Sequence, residues 1–334
     1  VGDPQLVRRF AEVAREEYCA AGIRMALHPQ IDLATEPRWP RIGGTFGEDA
    51  DLSARLVKAY IAGFQGQRLG PESVACMTKH FPGGGPQKEG LDPHFTFQKG
   101  QIYPGENFDY HLIPFEAAFD AGTAAIMPYY GVPMGQTNED VAMAFNQAII
   151  TGLIRERYQY DGVVCTDWGL VTDVVTPAFT WHAKAWGVEH LSEVERVEKI
   201  INAGCDQFGG ESCPEHVIAL VRGGRISEER IDQSVRRLLL LKFQLGLFDQ
   251  PYTDVERANE IFGKDEFIHA GLASQTRAMT LLKNAENLMP LDGAKKIFVK
   301  NLDHAAARQF ARVVDSSEAA DLAILRLNTP FYPV

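Results

Sequence analysis

The sequence lacks the features that mark several large classes of protein. No apolar run in its 334 residues approaches the roughly 18 that a membrane-spanning helix needs. It also lacks an internal repeat, a low-complexity tract and the glycine fingerprint of a dinucleotide-binding fold after its first strand-like segment. Positive charge is in deficit, because 33 Lys and Arg stand against 44 Asp and Glu and leave a net charge of −11. An acidic chain disfavours nucleic acids and anionic membranes as partners, and it leaves a neutral small substrate open.

Cysteine is scarce, and its spacing does not suit a metal. None of the 5 cysteines follows the paired spacing of a zinc site, so we predict no bound metal. Buried free thiols are the favoured interpretation, with pairing of Cys205 and Cys213 in an oxidising compartment as the alternative. A start methionine is also lacking, and helix-like sequence begins near Asp3, so we expect the native chain to begin further upstream.

What the sequence does contain is one local pattern that recurs along the chain. Each copy begins with small or β-rich apolar residues and ends in polar or glycine-rich residues, which is typical of parallel strands that end at a site. Five copies are evident, at residues 23–27, 74–78, 123–127, 162–165 and 203–208.

Amphipathic helices are predicted between these strands. Apolar residues recur every four positions from Leu52 to Phe64, and Ser227 is a predicted N-cap with Glu228 and Glu229 in the first turn. Alternating strands and helices predict a parallel sheet, either a closed barrel or an open doubly wound sheet. Polar residues past the ends of many different strands favour a (β/α)8-type, TIM-like barrel. Because only five or six strands are readable before residue 250, we expect the barrel to be incomplete or irregular.

A second α/β domain is predicted to begin near the carboxyl end. The segment Asp249-Gln250-Pro251 interrupts the preceding helix, a further helix is predicted over 266–282, and strand patterns follow at 296–299 and 321–327. The predicted organisation is a barrel domain over 1–250, a linker with a helix over 251–292 and the start of an α/β sandwich over 293–334.

The segment GVVCTDWG at 162–169 places an acid and an indole at the end of a buried strand. An ionised Asp167 at a barrel mouth can act as a nucleophile or base, and Trp168 offers a flat face that suits a sugar ring. The structural alternative is that Asp167 caps a turn and Trp168 belongs to the core.

The segment KHFPGGG at 79–85 is the more specific motif. Lys79 and His80 supply hydrogen-bond donors, and the glycines allow a sharp turn and a close approach to a ligand. A flexible surface loop and a phosphate-binding loop are the alternatives, although a phosphate loop normally opens a helix and this one continues as loop.

Other candidate residues lie near these two motifs. Asp92 and His94 could form a proton shuttle, or they could anchor their loop. Arg41 could hold a hydroxyl or carboxylate, or it could form a structural ion pair with Glu48 or Asp49. Tyr129 and Tyr130 could donate hydrogen bonds at the barrel mouth or belong to the core.

Taken together, these stretches resemble glycoside hydrolase family 3, of the β-glucosidase type. The resemblance is carried by PRWPRIGGTFGEDADL at 37–52, KHFPGGG at 79–85 and VVCTDWG at 163–169, and it extends to LGLFDQPY at 245–252 and LLKNAENLMPL at 281–291. It implies a barrel followed by an α/β sandwich, with the active site between them, no cofactor, and a periplasmic or extracellular location.

The resemblance also implies roles for individual residues. Asp167 would be the nucleophile of a retaining exo-acting β-glycosidase that releases a terminal glucosyl residue through a covalent glycosyl-enzyme. Tyr129 would lie beside this nucleophile, and Trp168 would pack on the sugar. Arg41, Lys79 and His80 would bind its hydroxyls. The general acid/base would come from the second domain, and the family's early sugar-binding Asp would precede residue 1.

Three departures from the family pattern concern sugar selectivity. Pro40 replaces a usual Gly, Gly44 stands where Glu is common, and Gly84 stands where many members have a second His. One alternative is a β-N-acetylglucosaminidase of the same family, which would use Asp92 and His94 as acid/base. An alternative of another class is a non-catalytic carbohydrate-binding protein on the same scaffold. The oligomeric state stays open.

Overall fold

The computed structural model describes residues 2–97, 99–177, 179–291 and 293–328. The chain divides into two compact units, Val1–Gln275 and Thr276–Val334. The domain boundaries predicted at 250 and 292 stay predictions.

Helices and strands alternate through the first unit, and a smaller α/β arrangement forms the second. The α-helices are α1 (Pro4–Ala20), α2 (Ala50–Gln65), α3 (Phe108–Asp120), α4 (Glu193–Ala203), α5 (Pro214–Arg222), α6 (Glu228–Gln244), α7 (Val255–Ile261), α8 (Asp265–Ala278) and α9 (His304–Ala307). The strands are β1 (Met25–Ala26), β2 (Ala75–Phe81), β3 (Gly100–Gln101), β4 (Ala125–Pro128), β5 (Val132–Pro133), β6 (Val163–Trp168), β7 (Val174–Val175), β8 (Thr180–Trp181), β9 (Gln207–Gly209), β10 (Lys296–Lys300), β11 (Arg312–Val314) and β12 (Leu322–Leu325). A π-helix spans Ala148–Arg157.

The first unit is built on a five-stranded sheet in the order β1-β2-β4-β6-β9, with every neighbouring pair parallel. All five strands overlap the segments that the sequence predicts, and the sheet curls into half of a barrel. The TIM-like (β/α) fold class is therefore confirmed, as is the expectation that the barrel is incomplete in this chain.

Two strands run further than the sequence pattern indicates. Strand β2 continues through Lys79 and His80, because Lys79 still pairs with Met127 of β4. Strand β6 likewise includes Asp167 and Trp168, since Trp168 pairs with Gly209 of β9. The polar residues therefore lie at the last positions of the strands and not in the loops beyond them, which restricts their side chains to the directions that strand geometry allows.

Both faces of the sheet are buried, as expected for parallel strands. Alternate residues such as Cys76, Ile126 and Val164 join a large cluster with side chains of α2 and α3. The residues beside them in sequence, including Met77, pack with Leu241 of α6. Because successive strand residues point to opposite faces, a continuous apolar run is what such a sheet requires.

Helix starts follow the caps in the sequence. Helix α6 begins after Ser227, whose side chain accepts a hydrogen bond from the Arg230 amide, as predicted. Helix α2 is capped by Asp49, which accepts from the Leu52 amide at 2.7 Å. Side-chain oxygens at these positions satisfy amides that have no partner inside the helix.

The second unit contains a three-stranded sheet in the order β11-β10-β12, with both pairs parallel. Its core includes Ile297, Val299 and Ala311. The two strands predicted at 296–299 and 321–327 correspond to β10 and β12, and β11 lies between them in sequence. Within the described ranges, no helix is both long enough and apolar enough to cross a membrane.

Candidate active site

Asp167 lies at the end of β6 with one carboxylate oxygen engaged. Its Oδ1 accepts hydrogen bonds from the Tyr130 hydroxyl at 2.7 Å and from the Trp168 amide at 2.8 Å. Its Oδ2 lies 3.8 Å from Nε2 of His80 and accepts no hydrogen bond from any residue that the structure describes. Only 9% of Asp167 is exposed, so the carboxylate is held in one orientation with a single oxygen left unbound.

His80 is buried, and its two ring nitrogens lie beside charged side chains. Its Nδ1 lies 3.0 Å from Asp32 Oδ2, and its Nε2 lies 3.2 Å from Nη2 of Arg41. A guanidinium can only donate, so Nε2 must accept and Nδ1 must carry the proton that bonds Asp32. Burial lowers the pKa of His80, with Arg41 acting in the same direction and Asp32 opposing it, which agrees with a neutral imidazole.

Two cationic side chains, Arg41 and Lys79, reach this region and form no ion pair with any residue that the structure describes. Nη1 of Arg41 is buried and has no hydrogen-bond partner in the described part of the chain, and the guanidinium lies 6.0 Å from the Tyr129 ring centroid. Among the described residues, Arg41 does not form the ion pair with Glu48 or Asp49 that the sequence left open, and Asp49 instead caps α2. Lys79 is half-buried, and burial lowers its pKa against the opposing charge of Asp167.

The tyrosine that bonds Asp167 is Tyr130, the neighbour of Tyr129, and the role implied for Tyr129 stays a prediction. Tyr129 is fully buried and donates to Asp92 Oδ2 at 3.1 Å, whereas Tyr130 bonds Asp167. The two tyrosines directly follow β4, and only the hydroxyl of the second one bonds a residue of β6. The sequence motif contains both tyrosines and does not distinguish them.

Asp92 and His94 do form a pair, and Asp92 is also anchored on its other oxygen. Asp92 Oδ1 bonds both the ring Nδ1 and the amide of His94, while Oδ2 accepts from Trp39 Nε1 at 2.9 Å and from Tyr129. These bonds lower the pKa of Asp92 although burial opposes the shift. The His94 ring lies 4.6 Å from the Tyr130 ring, which puts it at the edge of the site.

Trp168 is not part of the core, since 39% of it is exposed. One face of the indole is covered by β9 and the residue after it. A Cβ on Gly210 would lie only 2.0 Å from Cδ1 of Trp168, and one on Gly209 would lie 2.8 Å from Cε3. Glycine at these two positions therefore allows the indole to lie flat against the backbone and leaves its other face available.

The glycines at 83–85 are buried and pack against the strand-end segment that contains Asp32. A Cβ on Gly84 would lie 2.8 Å from Asp32 Oδ1, and one on Gly85 would lie 1.6 Å from the Leu33 carbonyl oxygen. The Gly84 amide also donates a short hydrogen bond to Asp32. The alternatives of a flexible surface loop and a phosphate loop are both wrong, because this backbone is buried against Asp32 and Leu33.

Three residues of the site were not singled out as site residues by sequence reasoning. Asp32 follows the first strand, and its position there was the available signal. Tyr130 was considered only with Tyr129. Lys184 lies outside every motif, and its ammonium stands 5.6 Å from the Tyr130 ring centroid. The five cysteines are free thiols, so Cys205 and Cys213 are not paired.

The arrangement has the parts of a covalent-catalysis site for a neutral polar substrate. A single oriented carboxylate oxygen faces a region lined by donors, with an aromatic face beside it. In the ranges that the structure describes, no three His, Cys, Asp or Glu side chains converge as metal ligands.

Comparison with known proteins decides the family. The model of the Glycosyl hydrolase family 3 N terminal domain matches residues 2–241. This chain belongs to that family. Among relatives, it is 53% identical over 337 residues to beta-glucosidase C of Emericella nidulans, covering 99% of this chain and 54% of the relative. It is also 40% identical over 348 residues to the periplasmic beta-glucosidase/beta-xylosidase of Dickeya chrysanthemi, covering 99% of this chain and 53% of that protein.

Solved structures of family 3 enzymes have the same fold. A beta-glucosidase from Listeria innocua in complex with gluconolactone matches with a TM-score of 0.76 and 29% identity, over 89% of this chain and 39% of that one. The family 3 chain described here thus spans about half the length of the curated relatives that it matches.

Proposed function

We propose that the protein is a retaining, exo-acting β-glucosidase in which Asp167 is the nucleophile. The single observation that supports this most is the asymmetry of the Asp167 carboxylate. Tyr130 and the Trp168 amide hold Oδ1, and no described residue bonds Oδ2. Two fixed donors on one oxygen leave the other as the atom that can attack.

In the proposed mechanism Oδ2 attacks the anomeric carbon while the bond from that carbon to the leaving oxygen breaks. A general acid from the second domain gives its proton to the leaving oxygen. In the second step the same group takes a proton from water, which attacks the anomeric carbon and frees Asp167 with net retention.

We propose that the hydroxyls of the terminal sugar bind to Arg41, Lys79 and His80. Arg41 has a buried nitrogen that has no hydrogen-bond partner among the described residues. Lys79 is half-buried, and its ammonium forms no hydrogen bond or ion pair with any residue that the structure describes. Nε2 of His80 is engaged by Arg41 Nη2, so a hydroxyl that bonds His80 must displace that contact. Trp168 supplies the apolar face beneath the sugar.

Trapping of the intermediate tests this proposal. The whole protein encoded by the gene is incubated with a 2-deoxy-2-fluoro β-glucoside, and we expect the mass of one fluoroglucosyl group on the peptide that contains Asp167. Asp167→Asn should lower kcat on aryl glucosides on the order of a thousandfold or more. Azide should rescue Asp167→Ala by forming the α-glucosyl azide, which only a retaining nucleophile predicts.

Asp120→Asn is the matched control, because Asp120 pairs with Lys58 at the surface and 70% of its side chain is exposed. We expect this variant to keep the parent activity. Undiminished hydrolysis by Asp167→Asn, or label on a different peptide, would refute Asp167 as the nucleophile.

A further inference from the structure

Four aromatic side chains form an exposed platform near the site, made of Phe95, Phe97, Phe179 and Trp181. Their exposed fractions are 45%, 60%, 52% and 40% respectively. Phe95 and Phe97 are stacked with an interplanar angle of 7° and a centroid distance of 5.5 Å. Trp181 joins the two halves, since its ring lies 6.3 Å from Phe95 and 5.1 Å from Phe179. A contiguous exposed aromatic surface of this kind is typical of a ligand-binding area.

The platform is held in place by a built hairpin. Strands β7 and β8 pair antiparallel, with Val174 opposite Trp181. Asp173, just before β7, lies 3.1 Å from Nδ1 of His182 and accepts from the Ala183 amide at 2.8 Å. These bonds fix the chain directly after Trp181 and so fix the direction from which its indole projects.

Lys184 joins the platform to the site around Asp167. Its Nζ lies 5.6 Å from the ring centroid of Trp181 and 5.6 Å from that of Tyr130, the residue that bonds Asp167. Its amide donates to the Gly169 carbonyl oxygen at 2.8 Å, and a Cβ on Gly169 would lie 3.3 Å from its Nζ.

A second connection between the platform and the site runs through Phe95, which directly follows His94, whose ring packs on Tyr130. The aromatic surface is therefore continuous with the mouth of the site.

The lysine also shows what kind of ligand the platform suits. Its side chain is half-buried between two rings, and it forms neither an ion pair nor a side-chain hydrogen bond with any residue that the structure describes. An ammonium has three donors, and hydroxyl groups can accept from them. Flat apolar faces beside a free donor match a pyranose ring, which presents C–H groups on its faces and hydroxyls around its edge.

We propose that Trp181 and Lys184 bind the first sugar ring on the leaving-group side of the scissile bond, and that Phe95 and Phe97 bind the next ring. This inference rests on the proposed function. An exo-acting enzyme holds the terminal sugar at the carboxylate, so the rest of an oligosaccharide must extend outward from that point. The platform begins at that point, because Lys184 reaches from Tyr130 to Trp181. Binding energy from these remote rings would then favour oligosaccharides over substrates with small leaving groups.

A comparison of substrates with and without leaving-group sugars tests the proposal in the whole encoded protein. The substrates are cellobiose, cellotriose and β-glucosyl fluoride, whose leaving group has no ring. We expect Trp181→Ala to lower kcat/KM on cellobiose and cellotriose about tenfold, because one aromatic contact with the sugar is lost. The same variant should keep kcat/KM on β-glucosyl fluoride within about twofold of the parent value. Phe95→Ala should reduce kcat/KM on cellotriose more than on cellobiose. Trp181→Phe should restore most of the activity on both.

Val175→Ala is the control, since Val175 lies on the same hairpin with 76% exposure and does not belong to the platform. It should change none of the three rates. Equal losses on the fluoride and the oligosaccharides would overturn the proposal, because the substitutions would then act on the site itself. Unchanged rates on all three substrates would also overturn the proposal. The aromatic surface would then bind another part of the chain or a protein partner and not a sugar. Failure of the parent protein to hydrolyse β-glucosyl fluoride would instead contradict the proposed function.

Discussion

At the scale of single residues, the hydroxyl of Tyr130 selects which oxygen of Asp167 can react. It donates to Oδ1 at 2.7 Å, and burial together with the charge of Asp167 raises the pKa of Tyr130 far above its usual value, so the proton stays in place. Hydrogen bonds to charged groups are worth about 1.5–3 kcal/mol. We therefore expect Tyr130→Phe to lower kcat on aryl glucosides about ten- to hundredfold.

The adjacent tyrosine provides the control for that measurement. Tyr129→Phe removes an equivalent hydroxyl, which donates to Asp92 and not to Asp167. Its main effect should be on stability, with kcat changed only a few-fold. Equal losses of kcat in the two variants would mean that the hydroxyl of Tyr130 has no specific part in orienting the nucleophile.

A second prediction at this scale concerns the support beneath Trp168. In Gly210→Ala, the new Cβ would overlap the indole at 2.0 Å, so the ring must move. We expect kcat/KM on glucosides to fall about tenfold, as for the loss of an aromatic contact of this size.

Gly224→Ala is the matched control for Gly210→Ala. Both glycines have positive φ, at 64° for Gly210 and 68° for Gly224, but a Cβ on Gly224 would meet nothing within 4 Å. The two variants share the backbone strain of about 1–3 kcal/mol, and only Gly210→Ala adds the overlap. Similar activity in both would show that the position of the indole does not matter for turnover.

At the scale of elements, one buried carboxylate ties the amino-terminal ends of β6 and β9 to two helices. The side chain of Asp206 is fully buried and bonds Arg155 of the π-helix at 2.6 Å and Arg237 of α6 at 3.0 Å. It also accepts from Ser234 Oγ at 2.8 Å and from the Val164 amide of β6 at 2.9 Å. Four partners from three elements meet at this side chain, next to the strand that carries Asp167.

We expect Asp206→Asn to lower the free energy of unfolding by about 3–5 kcal/mol, because it leaves two guanidinium groups without their buried counter-ion. Urea denaturation followed by far-UV circular dichroism measures this loss. Asp161→Asn is the control, since Asp161 contacts the same Arg237 but 65% of its side chain is exposed, and a surface pair contributes about 0–1 kcal/mol. Comparable losses in both variants would contradict the view that burial makes Asp206 the stronger tie.

At the scale of the whole molecule, buried neutral histidines make stability depend on pH. Burial lowers the pKa of His111 from 6.5 to about 4, with the charge of Asp32 opposing the shift. In the unfolded chain the same group takes up a proton near pH 6.5, so stability is lost as pH falls from 6.5 towards 4. His111 alone should contribute a loss of about 2 kcal/mol between pH 7 and pH 4.5.

Chemical denaturation of His111→Gln over that range measures this contribution. The variant should lose less stability than the parent between pH 7 and pH 4.5, whereas His190→Gln, at an exposed position, should follow the parent. The low pKa of Asp92, which would act in the same direction, matters only below pH 4, so it does not obscure the result. Parallel curves for the parent and His111→Gln would refute the assignment.

The sequence by itself determined the five parallel strands, the cap of α6 and the motifs that contain Asp167, Lys79 and His80. These follow from local rules, since strand and helix periodicity and capping depend on residues close together in the chain. Tertiary structure alone decided that Tyr130 and not Tyr129 bonds Asp167, that Asp32 orients His80, and that Lys184 joins the site to an aromatic surface. Each of these contacts joins residues from different elements, and a distance across a fold depends on packing that no local pattern records.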